Sequence, residues 1–134
     1  MMRIVLALCM LSGTLLALEW AKDLETALIS AQKEHKNIMV MVEGEHCRWC
    51  KKMKGRTLGD ESVEKKLENF VVVKVMREDP KAMAILPQVE GVPTIFFMTE
   101  KKEILETVIG YFDVLDFTSY INDVEKKVLD LKTK

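Results

Sequence analysis

Three things are scarce in this 134-residue sequence: cysteine, histidine, and any surplus of charge of one sign. Lys and Arg number 20 against 21 Asp and Glu, a formal net charge of −1 with both signs interspersed, which offers nothing to nucleic acid or to an anionic membrane surface. The three cysteines cannot staple distant segments into a disulfide scaffold, because Cys47 and Cys50 are only three positions apart and Cys9 stands in an apolar N-terminal run. A zinc site takes about four ligands, and Cys47 and Cys50 reach that number with His35 and His46 only if His35 folds back from the first helix. Internal repeats, low-complexity tracts and interdomain linkers are also absent, and the length suits one domain with a sizeable core.

What is present begins with a secretory signature. Met1-Met2-Arg3 supplies one positive charge, and Ile4 to Leu18 is almost wholly apolar, interrupted by Ser12, Gly13 and Thr14. The run is about 15 residues, short of the roughly 20 that a spanning helix needs, and Ala17 is the small residue a cleavage site wants. The expectation is a signal peptide over residues 1–17, removed together with Cys9, and a domain over residues 18–134. Left uncleaved, the segment would anchor that domain to a membrane. The expected location is periplasmic, or otherwise exported.

Along the domain, Ala21, Leu24, Ala27, Leu28 and Ala31 recur at helical spacing and predict a first helix from Trp20 to about His35. Ile38 to Val42 is a short continuous apolar run, the form of a strand buried on both faces. Gly44 and Glu45 make a turn, and a helix through Lys51-Lys52-Met53-Lys54 is expected to end at Gly55. Asp60 is a predicted N-cap, with Val63, Leu67 and Phe70 on the inner side of its helix, and Phe70 to Met76 is a second buried strand. Asp79-Pro80 starts a short helix that runs to about Leu86, before Pro87. Ile95 to Met98 and Ile104 to Ile109 flank a charged turn too short for a parallel crossover, so they are expected to be antiparallel. Val114, Phe117, Ile121, Val124, Val128 and Leu131 mark a C-terminal helix. This order describes an α/β fold, a mixed sheet with helices on both faces.

The chemistry centres on Cys47-Arg48-Trp49-Cys50, a spacing that closes a small reversible disulfide. A cysteine between a strand end and a helix start meets unpaired N–H groups and the positive end of the helix dipole. Such settings lower a thiol pKa from about 8.5 into a range of roughly 3.5–7.5. Cys47 is therefore the expected nucleophile, with Arg48 and Lys51 pushing the same way and a protonated His46 able to do so. Cys50, one turn on, suits the resolving role. Trp49 is expected to be partly exposed, at the apolar rim of a substrate groove.

At these residues the chain resembles the thioredoxin superfamily, over about Ile38 to the C-terminus. The CxxC after an apolar strand is one signature, and Val89-Glu90-Gly91-Val92-Pro93-Thr94-Ile95-Phe96-Phe97 is similar to another. That second resemblance implies that the Val92–Pro93 bond is cis, that its loop faces the cysteines, and that the backbone beside Pro93 pairs with bound substrate. Gly110 also fits the family pattern. His46-Cys47-Arg48-Trp49-Cys50-Lys51-Lys52-Met53, with Thr57-Leu58, is closer to the exported branch, whose members often reduce cytochrome c thiols or misoxidised proteins using a membrane electron donor. Thioredoxin itself has a buried acid six positions before its first cysteine. Met41 stands there in this chain, and Glu43 is the nearest acid to take over proton transfer at Cys50.

The resemblance implies an exported thiol–disulfide oxidoreductase acting on protein disulfides as a monomer, without a prosthetic group. The competing reading is a Cu(I)-binding or chaperone module on the same fold. Nine methionines, Met39, Met41, Met53, Met76, Met83 and Met98 among them, are soft ligands in type, although their positions suit packing.

Overall fold

The computed structural model describes residues 18–134, so the expected signal peptide and Cys9 lie outside the described residues. Among the described residues five strands form one mixed sheet: β1 (Trp20–Ala21), β2 (Asn37–Glu43), β3 (Phe70–Met76), β4 (Thr94–Met98) and β5 (Ile104–Ile109), in the order β1-β3-β2-β4-β5. Five helices accompany them: α1 (Leu24–Glu34), α2 (Arg48–Lys52), α3 (Glu61–Leu67), α4 (Pro80–Ile85) and α5 (Val114–Lys132). β1 and β2 run parallel to β3, whereas β4 is antiparallel to β2 and β5 to β4, as the short charged turn requires.

The pleat divides the core in two. On β2, Met39 and Met41 face a cluster with Cys50, Met53, Val63, Leu67, Phe97 and, from α5, Phe117, Ile121 and Val124. Ile38, Val40 and Val42 face the other way, against Leu24, Ala27, Leu28 and Ala31 of α1 and Ala82 of α4. All five residues from Ile38 to Val42 are fully buried, which is why the strand reads as a continuous apolar run. Among the described residues no helix is long and apolar enough to cross a membrane.

Several expectations are corrected. Trp20 does not begin a helix. Trp20 and Ala21 pair with Val72 and Val73 as a two-residue edge strand, and α1 starts only after Asp23, whose carboxylate accepts from the Thr26 N–H at 2.7 Å. Gly55 does not end the helix after the CxxC. The chain passes from α2 into a π-helical turn, Met53–Thr57, with Leu58 N–H donating to Met53 O at 2.9 Å. Gly59 is the glycine the geometry requires, because a Cβ there would lie 2.7 Å from Gly55 O. Phe70 belongs to β3 and not to the inner side of α3. Leu131 is half-exposed despite its spacing, since the fully buried positions of α5 stop at Val124.

Candidate active site

The chain leaves β2 at Glu43, turns through residues 44–46, and enters α2 with Cys47 as its N-cap. Cys47 is extended (φ −86°, ψ 100°), which points its sulfur back over the first turn, where it accepts the Cys50 N–H at 3.1 Å. An N–H aimed at sulfur stabilises negative charge there, so this backbone bond favours the Cys47 thiolate in the reduced pair. Cys47 and Cys50 are joined as a disulfide, with their Cα atoms 5.2 Å apart. Cys47 is half-buried and Cys50 only 1% exposed, so an incoming sulfur reaches Cys47 first.

Val92 packs against the same apolar cluster as Cys47 and Cys50, which brings the Pro93 loop to the cysteines. The Val92–Pro93 peptide is cis. One hydrogen bond ties this loop to the end of β5, the Gly110 N–H donating to Pro93 O at 2.8 Å, and a Cβ on Gly44 would lie only 3.1 Å from Val92 Cγ2. Gly44 thus leaves the space in which Val92 sits.

Trp49 is 47% exposed, beside the cysteines, as a rim residue would be. Its ring packs against Tyr111, centroid to centroid 5.7 Å, from the segment after β5. Arg48, expected to bias the thiolate, lays its guanidinium against the Trp49 ring at 5.6 Å. His46 is exposed with a left-handed backbone (φ 53°), and among the described residues its ring has no hydrogen-bond partner or ion pair. Glu43 is nearly buried at the end of β2, on the same side of the sheet as Met41, and pairs with Lys54 of the π-helical turn.

His35 lies at the opposite end of β2 from the CxxC, roughly 20 Å away at about 3.3 Å per residue, with its Nδ1 3.7 Å from Glu100 Oε2. It cannot complete a metal site with Cys47 and Cys50. Met39, Met41, Met53 and Met98 are packed within the two cores. Among the described residues no group of three or more His, Cys, Asp and Glu side chains is gathered as a metal site would need.

Sequence reasoning treats Lys52 as part of a solvated helix face, cites Thr57 only within the family resemblance, and passes over Tyr111. Lys52 Nζ sits 4.7 Å from the centroids of both Trp49 and Tyr111. The buried Thr57 hydroxyl donates to Phe112 O at 2.6 Å, tying the π-helical turn to the segment that carries Tyr111. The available signal was Gly110-Tyr111-Phe112, two aromatics placed between a strand and a helix.

A family model described as thioredoxin-like matches residues 19–100. A thioredoxin from Thermus thermophilus is 27% identical with a TM-score of 0.69, covering 81% of this chain and 87% of that one. The C-terminal domain of DsbD from Neisseria meningitidis, solved in reduced and oxidised forms, is 25% identical with a TM-score of 0.61 and covers 74% of this chain. The match spans 91% of the reduced domain. Mouse anterior gradient protein 3 is 24% identical over 114 residues, 84% of this chain and 68% of that protein.

Proposed function

The chain belongs to the thioredoxin-like family and is a thiol–disulfide oxidoreductase, and from that premise we propose that it is exported and works as a reductant of protein disulfides. The observation that carries the chemistry is the pairing of a half-buried Cys47, whose sulfur accepts a backbone N–H, with a buried Cys50. In the reduced enzyme the Cys47 thiolate attacks one sulfur of a substrate disulfide. A Cys47–substrate bond forms, the substrate S–S bond breaks, and the departing sulfur takes a proton. Deprotonated Cys50 then attacks Cys47 Sγ, the internal disulfide closes, and the second substrate sulfur leaves with its electron pair. Two electrons reach the substrate and the enzyme is left in its disulfide form.

Trp49 and the backbone at Val92 and Pro93 are assigned to holding the substrate chain, and Glu43 to accepting the Cys50 proton. Export is supported by the charged start and apolar run of residues 1–18, and outside the cytoplasm the pair needs a dithiol donor, for which we assign a membrane electron conductor. The reducing direction is supported by the likeness to thioredoxin and the DsbD domain.

Insulin reduction in dithiothreitol tests the roles: Cys47→Ser is expected to abolish turnover, and Cys50→Ser to trap mixed disulfides. A Cys47–Cys50 potential near about −270 mV supports reductase work, whereas one near about −120 mV overturns it. Fractionation of cells expressing the whole chain should find a product starting near residue 18 outside the cytoplasm, and unprocessed cytoplasmic protein would overturn export.

A further inference from the structure

Residues 48–56 carry Arg48, Lys51, Lys52, Lys54 and Arg56 and no acid, in a chain whose net charge is −1. Elsewhere the solvated helices mix signs: α3 holds Glu61, Glu64, Lys65 and Lys66, and the outer face of α5 alternates in the same way. Like charges three and four apart weaken a helix, so the single sign beside Cys47 carries a cost that mixed faces avoid. Lys54 is neutralised by Glu43, but among the described residues Arg48, Lys51, Lys52 and Arg56 have no carboxylate within 4.0 Å.

Two of these cations are also held in place. Lys52 Nζ lies 4.7 Å from the centroids of both Trp49 and Tyr111, and the Arg48 guanidinium 5.6 Å from that of Trp49. Attraction to the ring faces restricts these long side chains beforehand, so less ordering entropy remains to be lost on binding. Trp49 as a residue stays 47% exposed beside them. Glu45 stands in the turn before Cys47 and Glu90 in the segment before Pro93, so the acid-free run is that of α2 and its π-helical extension.

We propose that this face is an acid-selective docking surface: it receives a stretch of partner polypeptide bearing Asp or Glu next to the cysteine that Cys47 attacks, with an apolar side chain of that stretch laid on Trp49. The proposal rests on the oxidoreductase reading above and names its substrate class. A polypeptide is the occupant because Arg48 and Lys51 share a helical turn with Cys47. Whatever brings a sulfur to Cys47 therefore lays its flanking residues on these cations.

The test uses three disulfide-bonded peptides of equal length whose cysteines are flanked by Asp/Glu, by Ser/Gly, or by Lys/Arg. Each kcat/KM is divided by the rate at which dithiothreitol alone reduces that peptide. The acidic peptide is expected to exceed the basic one roughly tenfold at low salt, with the neutral one between. The ratio should fall towards one in roughly 1 M salt, where the screening length is about 3 Å. R48E/K51E, two exposed positions, should invert the order. A change in Cys47 reactivity multiplies all three rates alike and cancels in the ratio. Equal rates for the three peptides, with the neutral one turned over, would overturn the acid preference while leaving the oxidoreductase reading intact. Equal rates with cosedimentation on phosphatidylserine vesicles, lost in R48E/K51E, would give the face to a membrane instead. Failure of the wild type to reduce any of the three would remove the oxidoreductase reading and this proposal with it.

Discussion

Glu43 and Lys54 form an ion pair on the side of the sheet where Cys50 is buried. The carboxylate side chain is 12% exposed and the lysine 33%, so Glu43 is the enclosed member and Lys54 its bridge to solvent. In β2, residues 39, 41 and 43 share one face, so an acid moved two residues along the strand stays on the Cys50 side. Met41, meanwhile, is free to fill the core beneath it.

Glu43→Gln is therefore expected to slow the resolving step by roughly tenfold or more, the low end of general-base effects, while the first attack by Cys47 keeps its rate. Rapid-quench measurement of formation and decay of a Cys47–peptide mixed disulfide separates the two steps. Equal decay in both proteins would reduce Glu43 to a structural partner of Lys54.

Gly44 meets Val92 closely enough to make a second prediction. An added Cβ would lie 3.1 Å from Val92 Cγ2 and 3.4 Å from Arg77 Cδ, so Gly44→Ala asks Val92 for a few tenths of an ångström and Gly44→Val for more. The graded expectation is a small rise in KM for peptide disulfides in the first variant and a several-fold rise in the second. Reduction of a small disulfide that makes no backbone contact at Pro93 should change less. An equal loss on both substrates would locate the damage at the cysteines and not at the Pro93 loop.

The cysteines and Pro93 were legible because sequence punctuation marks them: an apolar strand, a CxxC and a Gly-Val-Pro-Thr run each fix a local geometry. The strand interiors were legible for the same reason, since Ile38 to Val42 has no polar residue to spare for solvent. Trp20 misled because Ala21 and Leu24 fit a helical face, although Asp23 carried the stronger signal of an N-cap. Gly55 misled because glycine usually ends a helix, whereas the steric need lies at Gly59. Gly110-Tyr111-Phe112 flagged an aromatic pair between a strand and a helix, but not what Tyr111 touches. It reaches Trp49 across most of the domain, through a pairing that only the completed sheet creates.

Thr57 offers a test of that long-range tie. Its hydroxyl is fully buried and donates to Phe112 O at 2.6 Å, so Thr57→Val keeps the shape and leaves a partly buried carbonyl without its donor. The expected cost is about 1–2 kcal/mol in urea unfolding, with Thr57→Ser recovering much of it. Because Phe112 follows Tyr111, the fluorescence of Trp49 should shift in the valine variant and return in the serine one. An unchanged Trp49 signal with lowered stability would mean that the tie braces the fold without setting the aromatic rim.

Acid pH probes the helix caps. The Ser62 hydroxyl, with backbone N–H groups of Val63 and Ser62, holds the Asp60 carboxyl below its usual value of 3.8. The Thr26 N–H does the same for Asp23 at the start of α1. A carboxyl lowered in the native state binds its proton less readily folded than unfolded. Its contribution is therefore complete above pH 3.8 and is lost as pH falls through the folded value. Asp60→Asn keeps a capping oxygen but no charge, so its stability deficit against wild type should be constant at neutral pH and shrink below about pH 4. Urea midpoints of both proteins from pH 7 down to pH 3 measure this. A deficit that stays constant throughout would show that the Ser62 contacts act on Asp60 through its geometry alone and not through its charge.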